Sequence, residues 1–367
     1  MNTIPIRMTV KNKPKAVIGL SGGVDSAVAS ALLQQQGFDV VGVTLNVYSK
    51  SDVQKAAFEK TAAEAEAVAR KLGISHKILD VQEEFEQAVV AYFMDAYRNG
   101  QTPNPCAVCN PKIKFRFLME QMVAEGASGI ATGHYADVVK DPITNRFLLK
   151  NSSAAGKDQT YVLYGLSQNQ LSHLLLPLGN AAGKEEVRQM AREWGIPVAE
   201  KPDSQEICFI PNGGYADFII QKTGYVPKPG KFIDRDGNIL GNHRGILYYT
   251  VGQRKGLGQS FGKPMFVLSI NAGDNTVTLG EAGSEFSEGL IAAEANFLVF
   301  ESLTTPQRIE VKIRYAAKPS SALILPLDNG RIEVRFDRPQ RAVTPGQAVV
   351  FYQGDYLIGG ARIVNPL

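Results

Sequence analysis

Three cysteines are the residues of this chain best suited to covalent sulfur chemistry. Cys106 and Cys109 form a Cys-x-x-Cys pair in a segment rich in Pro and Asn, and Cys208 lies far from both along the chain. An odd number of thiols, in a sequence with no predicted export signal, argues against a secreted disulfide scaffold. Reduced thiols with a chemical or metal-binding role are the better expectation.

The surroundings of the Cys-x-x-Cys pair favour a nucleophile. A helix is predicted to begin just after Asn110, which would place both thiols near its N-terminus. The positive end of a helix dipole favours the thiolate over the thiol and increases the nucleophilic population at neutral pH. Free cysteines are more often small buried residues than catalysts, and that interpretation holds for Cys208 taken alone. Cys106 and Cys109 are the stronger candidates.

A loop with two glycines early in the chain is suited to binding phosphate. The string SGGVDS at residues 21–26 follows a predicted strand and opens a predicted helix. The glycines let a ligand approach the backbone, the helix N-terminus adds partial positive charge, and Ser21 and Ser26 offer hydroxyl donors. The lysine of the G-x-x-x-x-G-K-S/T loop is absent. Asp25 is the candidate metal-binding carboxylate, although the helix dipole alone favours an acidic residue there.

Alternating strands and helices must hold these residues in place in the first half of the chain. Short apolar runs at residues 16–20 and 39–45 alternate with predicted helices at residues 53–72, 82–98 and 112–125. Gly73 is the predicted residue that ends the first of these three helices. This alternation predicts a doubly wound parallel α/β sheet with ligands at the carboxyl ends of its strands.

The second half of the chain differs in its composition and in the pattern of its apolar residues. Gly and Pro become frequent after about residue 210, and short alternating runs dominate from Asn271 onwards. Such runs, separated by turn residues, are typical of a small antiparallel β-barrel. The sequence therefore predicts three domains. They are an α/β domain at residues 1–210, which carries the glycine loop and the thiols, a small central linker domain at 211–280 and a C-terminal barrel at 281–367.

Charge and hydropathy exclude some classes of protein. The longest apolar runs are strand-sized and interrupted, so no membrane span is expected and a cytoplasmic location is predicted. A net charge of +3 does not by itself indicate a nucleic-acid partner. Basic residues nevertheless outnumber acidic ones across residues 308–341, where strands could present a positive surface to RNA. A solvated face of mixed charge explains that stretch equally well.

Several motifs taken together resemble the bacterial-type tRNA-specific 2-thiouridylases, a family of the PP-loop ATP pyrophosphatase superfamily. The loop SGGVDS resembles the signature of the superfamily, and both cysteine segments resemble those of the sulfurtransferase family. Further matches follow in the expected order over nearly the whole chain. They are ATGHYA at residues 131–136, KDQTY at 157–161, YTVGQRKGLG at 249–258 and KIRYA at 312–316.

The resemblance implies an ATP-dependent tRNA-uridine 2-sulfurtransferase. ATP with Mg²⁺ would adenylate the C2 oxygen of the wobble uridine, and a persulfide sulfur would displace AMP to leave 2-thiouridine. Cys208 matches the persulfide-carrying position of the family, and Cys109 matches the position described as the nucleophile. The persulfide could deliver its sulfur directly, with Cys109 releasing it through a disulfide, or it could release hydrosulfide. The implied partners are tRNA and an upstream persulfide donor protein.

Cys106 departs from the better-known family pattern, which has Asp three residues before the second cysteine. Three thiolates converging on one site could hold a 4Fe–4S cluster and leave one iron free to bind sulfide. In the other interpretation, Cys106 only replaces a polar residue that contacts the base. Both interpretations stay open, and zinc is less favoured because it needs a fourth ligand, for which His134 is the candidate.

The resemblance also implies binding residues, and without it Lys157 and Arg314 would be interpreted as surface charges. The implied ATP site consists of Gly19, Leu20, Ser21, Gly22, Gly23, Val24, Asp25, Ser26, Leu45 and Gly133. The implied tRNA site consists of Asn104, Pro105, Cys106, His134, Lys157, Asp158, Gln159, Arg314, Tyr315 and Gln347. A cation beside an aromatic ring, as at Arg314 and Tyr315, suits RNA, where phosphates and unstacked bases are bound together.

Other functions are compatible with parts of the sequence. A tRNA thiolase that acts on a different base would need the same loop and thiols. An ammonia-using synthetase would need the loop but neither the thiols nor a basic β-domain. A non-catalytic tRNA-binding protein would be expected to have a damaged loop or to lack the cysteines. The combination of loop and thiols favours sulfur transfer to tRNA.

Overall fold

The computed structural model describes residues 13–154, 156–202, 207–210 and 214–367. Residues 203–206, which precede Cys208 in its predicted segment, lie outside the described part. The helices are α1 (Val24–Gln35), α2 (Asp52–Leu72), α3 (Gln82–Phe85), α4 (Ala91–Arg98), α5 (Pro105–Cys109), α6 (Phe115–Ala124), α7 (Gln168–Ser172), α8 (Lys184–Glu193) and α9 (Tyr215–Thr223). The π-helical turns are Glu86–Val90 and Asn110–Lys114, and the 3-10 turns are Thr160–Val162, Ile246–Tyr248 and Asp328–Gly330.

The strands of the described part fall into three sheets. They are β1 (Lys15–Gly19), β2 (Asp39–Asn46), β3 (Ser75–Asp80), β4 (Gly129–Ala131), β5 (Ala136–Lys140), β6 (Phe147–Asn151), β7 (Leu174–Leu175), β8 (Gly230–Ile233), β9 (Ile239–His243), β10 (Met265–Asn271), β11 (Thr276–Glu281), β12 (Phe286–Phe297), β13 (Gln307–Lys312), β14 (Ser320–Pro326), β15 (Ile332–Arg341), β16 (Ala348–Gln353) and β17 (Tyr356–Pro366).

A parallel sheet in the order β3-β2-β1-β4-β7 organises the first part of the chain. Every neighbouring pair in it is parallel. Val17 and Ile18 of the central strand are fully buried and belong to different hydrophobic clusters, because helices cover both faces of the sheet. The predicted doubly wound α/β fold is confirmed.

Local signals set the ends of α2. Ser51 and Gln54 form a reciprocal capping box at its N-terminus, in which each side chain accepts a hydrogen bond from the backbone of the other. Gly73 ends the helix in the left-handed conformation with φ of 67°, which glycine adopts without steric cost. Both ends agree with the sequence prediction to within one residue.

The helical segment that carries Cys106 and Cys109 begins earlier than the sequence analysis predicted. It begins at Pro105 rather than after Asn110, with Asn104 as its N-cap. Proline is favoured at the first helical position because no N–H partner is needed there. Both cysteines therefore lie in the first turns of the helical segment.

The second half of the chain forms a small mixed sheet and a barrel. β10, β11, β8 and β9 form the central sheet. β12, β15, β14, β13, β16 and β17 follow one another around an antiparallel barrel, which closes through pairing of β12 with β17. The predicted C-terminal barrel is confirmed. The hairpin β5–β6, which comes from the first part of the chain, extends this sheet by pairing with β17.

Among the described residues, no helix is long and apolar enough to cross a membrane.

Candidate active site

The glycine loop is braced by its own serines and leads directly into α1. The hydroxyl of Ser26 accepts a hydrogen bond from the N–H of Ser21 and donates one to the carbonyl of Gly23, both at 3.1 Å. Gly23 is the N-cap of α1 and provides no side-chain cap. The positive end of the helix therefore faces the loop without a side-chain acceptor from its cap, an arrangement that suits an anion.

Two glycines are required by close backbone contacts on either side of this loop. Gly22 has φ of 66°, and a Cβ atom there would lie 2.7 Å from the carbonyl oxygen of Thr61 in α2. A Cβ atom on Gly133 would lie 2.7 Å from main-chain atoms of both Asp25 and Ser26. The loop is thus held between α2 and the segment that follows β4.

Asp25 is engaged by two residues that the sequence analysis missed. Its Oδ2 atom lies 2.7 Å from Nζ of Lys184, and its Oδ1 atom accepts a hydrogen bond of 2.8 Å from the hydroxyl of Tyr135. A second lysine, Lys201, donates from Nζ to the carbonyl of Gly22 at 3.0 Å. The loop lacks a lysine of its own, so α8 and the segment after it supply the cations.

The remaining predicted ATP-site residues lie where the first two strands end. Gly19 is the last residue of β1, and the N–H of Leu20 donates to the carbonyl of Val43 at 2.8 Å. Leu45 is half-buried near the carboxyl end of β2. The structure therefore brings these residues and the glycine loop to the carboxyl edge of the parallel sheet, where nucleotides bind in α/β folds.

The three thiols are all free and reach solvent, although protein encloses them on most sides. Cys106 and Cys208 are exposed and Cys109 is half-buried. Cys208 directly precedes Phe209, which is fully buried and makes edge contacts with Phe93 and Phe218 at ring-centroid distances of 5.2 and 5.4 Å. The buried ring of Phe209 holds this part of the chain in place, so the backbone position of Cys208 is fixed beside it.

Burial raises the pKa of all three thiols. Desolvation is the largest cause at each of them, and it raises the pKa of Cys208 to about 12. Repulsion from the Cys109 and Cys106 thiolates adds to the rise at Cys208, which shows that the three sulfurs share one electrostatic neighbourhood. The nearby ammonium of Lys114 lowers each pKa but does not outweigh burial. The prediction that Cys106 and Cys109 favour the thiolate is therefore wrong.

The thiols do not fit a metal cluster as they are arranged here. Within the described residues, no group of three or more His, Cys, Asp or Glu side chains is placed to hold a metal ion. His134, the candidate fourth ligand for zinc, has its Nδ1 atom 2.8 Å from the hydroxyl of Thr132 and stacks on Phe115. Burial, followed by the charge of Lys114, lowers the pKa of His134 well below its usual range, so its imidazole is neutral at pH 7.

The barrel reaches the cysteine segment through Gln347. Its Nε2 atom donates to the carbonyls of Thr102 and Pro103, at 3.0 and 3.3 Å. The Oδ1 atom of Asn104 accepts a hydrogen bond from the N–H of Ala107 at 3.3 Å, so this side chain caps the helix. Gln347 and Asn104 therefore fix the approach to Cys106, while Pro105 is buried as the first helical residue.

The two predicted tRNA-contacting segments, residues 157–159 and 314–315, lie near each other, because the ring of Tyr161 contacts that of Tyr315. The side-chain Oε1 atom of Gln159 accepts a hydrogen bond from the backbone N–H of Tyr135 at 2.9 Å. The backbone N–H of Gln159 donates to the carbonyl of Tyr135 at 2.8 Å. Lys157 and Asp158 are half-buried, whereas Arg314 and Tyr315 are exposed. Tyr135 thus connects this region to Asp25.

Comparison with known proteins covers nearly all of this chain. The tRNA methyl transferase HUP domain model matches residues 14–212, the tRNA methyl transferase PRC-barrel domain model 217–281, and the Aminomethyltransferase beta-barrel domain model 287–363. The chain is 48% identical to the tRNA-specific 2-thiouridylase MnmA of Acetivibrio thermocellus over 358 residues, covering 96% of this chain and 99% of the relative. Identity to the tRNA-specific 2-thiouridylase MnmA of Clostridioides difficile is also 48%, over 357 residues, with the same two coverages.

A third relative, the tRNA-specific 2-thiouridylase MnmA of Desulfitobacterium hafniense, is 45% identical over 371 residues. This match covers 98% of the present chain and 100% of the relative. Similarity at this level over full length agrees with the resemblance that the motifs indicated. The chain belongs to the tRNA-specific 2-thiouridylase family.

Proposed function

We propose that the protein is an ATP-dependent tRNA-uridine 2-sulfurtransferase that converts the wobble uridine of tRNA to 2-thiouridine. The observation that carries this proposal is the occurrence of a glycine loop at a helix N-terminus and three accessible free thiols in one α/β unit. The loop supports ATP cleavage to AMP and pyrophosphate, and the thiols support sulfur transfer. The names of the relatives support tRNA as the substrate.

ATP would bind with its phosphates against the glycine loop and the N-terminus of α1. Asp25 would share a Mg²⁺ ion with the phosphates, since this ion favours oxygen ligands and is usually held by one or two carboxylates together with substrate phosphates. Mg²⁺ would neutralise the phosphate charge during adenylation. Lys184 already lies against Asp25 and would lie beside the same phosphates.

Adenylation makes the later substitution feasible. A uridine carbonyl oxygen is a poor leaving group, but the same oxygen leaves readily as part of AMP. In the first step the C2 oxygen attacks the α-phosphorus of ATP, a P–O bond forms and pyrophosphate departs. In the second step sulfur adds to C2, and the C2–O bond breaks as AMP leaves.

The sulfur would travel on Cys208, which is accessible to an upstream persulfide donor. In one route, the terminal sulfur of the Cys208 persulfide attacks C2 and displaces AMP. The Cys109 thiolate then attacks the sulfur of Cys208, which forms a Cys109–Cys208 disulfide and releases 2-thiouridine. In the other, Cys109 attacks the persulfide first and releases hydrosulfide, which displaces AMP. Either route leaves a disulfide that an external thiol must reduce.

Cluster chemistry forms no step of this proposal, because the thiols are not arranged to hold a metal in the described structure. In a persulfide relay, Cys106 would lie beside the target base together with Asn104. Its exposure supports a contact with substrate. The neutral imidazole of His134 would offer a hydrogen bond to tRNA.

The first test measures the products of the reaction. With tRNA, ATP and a persulfide source, we expect AMP and pyrophosphate to form in equal amounts with 2-thiouridine. Enzyme purified without oxygen and reconstituted with iron and sulfide should be no more active than iron-free enzyme. Cleavage of ATP to ADP would contradict adenylation. A requirement for bound iron would contradict the relay, and thiolation of tRNA in the absence of ATP would contradict activation of the uridine by adenylation.

A second test concerns the cation at the loop. Lys184→Met should raise KM for ATP by about tenfold or more, because the phosphates would lose the ammonium group that lies beside the half-buried Asp25 carboxylate. KM for tRNA should stay unchanged. Lys15→Met is the matched control, since Lys15 also pairs with a carboxylate, Glu125 at 3.5 Å, but begins β1 at the opposite edge of the sheet. Equal ATP kinetics in both variants would exclude this role for Lys184.

A further inference from the structure

Lys312, the last residue of β13, lies among three tyrosines at the junction of the barrel and the first domain. Its Nζ atom is 5.9 Å from the ring centre of Tyr161, 5.8 Å from that of Tyr315 and 6.0 Å from that of Tyr352. These distances lie at the outer limit of the range for attraction between a cation and an aromatic ring. Tyr161 comes from the first domain, so the lysine connects two parts of the chain.

Tyr315 is the one member of this group that reaches far into solvent. Its side chain is 43% exposed, whereas Tyr161 and Tyr352 are buried. Its ring meets that of Tyr161 edge to face, with centroids 6.1 Å apart. Tyr315 therefore rests on Tyr161 with Lys312 beside it, and this support leaves much of the side chain open to a stacking partner.

The carboxylate of Asp158 lies next to the same group, because the hydroxyl of Thr160 contacts both Oδ2 of Asp158, at 2.7 Å, and the hydroxyl of Tyr352, at 3.2 Å. Burial lowers the pKa of Lys312 and raises the pKa of Tyr315 and of Tyr352, and the charge of Asp158 acts on all three in the raising direction. The carboxylate is fixed within its own turn. Its Oδ2 atom accepts a hydrogen bond of 2.7 Å from the hydroxyl of Thr160, and its Oδ1 atom accepts from backbone N–H groups.

A fixed carboxylate is an unfavourable neighbour for RNA, whose phosphates carry the same sign of charge. The only role that the family resemblance implies for Asp158 is contact with tRNA, yet its oxygens already accept hydrogen bonds from the protein. A cation close to Asp158 would cancel the repulsion without having to touch RNA itself. Lys312 is half-buried among the rings, while the neighbouring Arg314 is exposed. The two basic residues are therefore suited to different tasks.

We propose that Lys312 is a positioning residue for tRNA binding, which neutralises Asp158 and holds Tyr315 in place as a stacking surface. This inference rests on the proposed tRNA-binding role of residues 157–159 and 314–315. Arg314 would contact phosphate directly, Tyr315 would stack on a base, and Lys312 would act through both Asp158 and Tyr315. Stacking on an aromatic ring tolerates different bases, so this surface would contribute affinity more than sequence preference.

The test is a double-mutant cycle with tRNA affinity as the readout. Lys312→Met should weaken tRNA binding by about tenfold, because it leaves Asp158 uncompensated beside the RNA. KM for ATP should not change. Adding Asp158→Asn should recover most of the loss, since asparagine keeps an acceptor for the backbone N–H groups of the turn but carries no charge. Lys312→Arg should bind tRNA nearly as well as wild type.

Salt dependence separates this role from a direct phosphate contact. A residue that binds phosphate contributes about 0.7 to 0.9 to the slope of log K against log salt. Arg314→Ala should lower the slope by this amount, whereas the Lys312→Met/Asp158→Asn double variant should keep the wild-type slope. Arg308→Met is the charge control, because Arg308 lies on the same strand and pairs with Asp337 at 2.7 Å. It should weaken binding less than Lys312→Met does.

Three results would overturn the inference. The first is wild-type tRNA affinity in Lys312→Met. The second is failure of Asp158→Asn to restore tRNA binding in the double variant, provided that this variant melts at the wild-type temperature. The third is a loss of tRNA affinity in Arg308→Met equal to that in Lys312→Met. A different result would count against the proposed tRNA surface itself. If Arg314→Ala and Tyr315→Ala both bind tRNA as wild type does, these residues do not contact RNA, whatever Lys312 does.

Discussion

Cys208→Ser is expected to abolish formation of 2-thiouridine while tRNA is still adenylated and pyrophosphate is still released. A serine hydroxyl cannot carry a persulfide, so sulfur transfer should fall by about a thousandfold or more. Adenylation uses the loop and tRNA but no thiol, so it should continue at a rate close to that of wild type. The two half-reactions should therefore be separated in this variant.

In this structure the substitution of Cys208 should leave the surrounding packing unchanged. Cys208 is exposed, and the buried aromatic ring that anchors its segment belongs to Phe209, which the substitution leaves in place. Packing around Phe85, Phe93 and Phe218 should therefore be unaffected. A large loss of thiolation without a change in melting temperature would locate the defect in the sulfur chemistry.

Adenylation can be followed by pyrophosphate exchange into ATP in the presence of tRNA, and thiolation by mass analysis of the nucleosides. Cys106→Ser serves as the comparison variant within the neighbouring segment. A relay through Cys208 and Cys109 predicts that Cys106→Ser slows thiolation far less than Cys208→Ser does. Equal losses in both variants, together with loss of bound iron, would instead favour a cluster. Full thiolation by Cys208→Ser would exclude the relay.

The raised pKa of Cys208 gives this step a pH dependence. Burial favours the neutral thiol, so before sulfur is loaded the residue is protonated at neutral pH and becomes more nucleophilic as pH rises. The rate at which Cys208 accepts sulfur should therefore increase with pH across the neutral range. The stability contribution has the opposite sign, because desolvation by the surrounding protein raises the pKa of this thiol above its unfolded value, so the folded state loses stability as pH rises from that value towards about 12.

Local signals made much of this fold predictable. The glycine loop, the capping box at Ser51 and the C-terminal Gly73 each depend on a few neighbouring residues, so the strand-loop-helix unit and α2 could be placed from sequence. The start of α5 was misplaced although its signal was local, because Pro105 is a first helical residue and the prediction began the helix only after Asn110.

Contacts between distant parts of the chain were not predictable in this way. Lys184 reaches Asp25 across 159 positions, and Gln347 reaches Thr102 across 245. No periodicity or spacing rule connects such pairs, since tertiary packing alone brings them together. The same holds for the thiols, because the helix terminus near Cys106 was visible in the sequence but the protein around it was not, and desolvation decided the pKa.

Gly133→Ala should lower kcat/KM for ATP by about a hundredfold while tRNA affinity is retained, since misplacement of a reacting group by about 1 Å has effects of this size. The added methyl group would lie 2.7 Å from main-chain atoms of Asp25 and Ser26. Backbone atoms cannot rotate away as a long side chain can. The loop cannot move freely away from the methyl group either, because Gly22 already approaches the backbone of α2 at Thr61.

The clash must therefore be relieved by displacing the residues proposed to hold phosphate, by displacing the segment that carries His134, or by both. Gly273→Ala is the matched control, because its Cβ atom would meet only the side-chain oxygen of Asn271, at 3.3 Å, in the turn between β10 and β11. Ordinary ATP kinetics in Gly133→Ala would show that the loop adjusts without cost. If tRNA binding falls as much as kcat/KM for ATP, the segment around His134 has moved and not the loop. Displacement of the loop alone would change only the ATP kinetics.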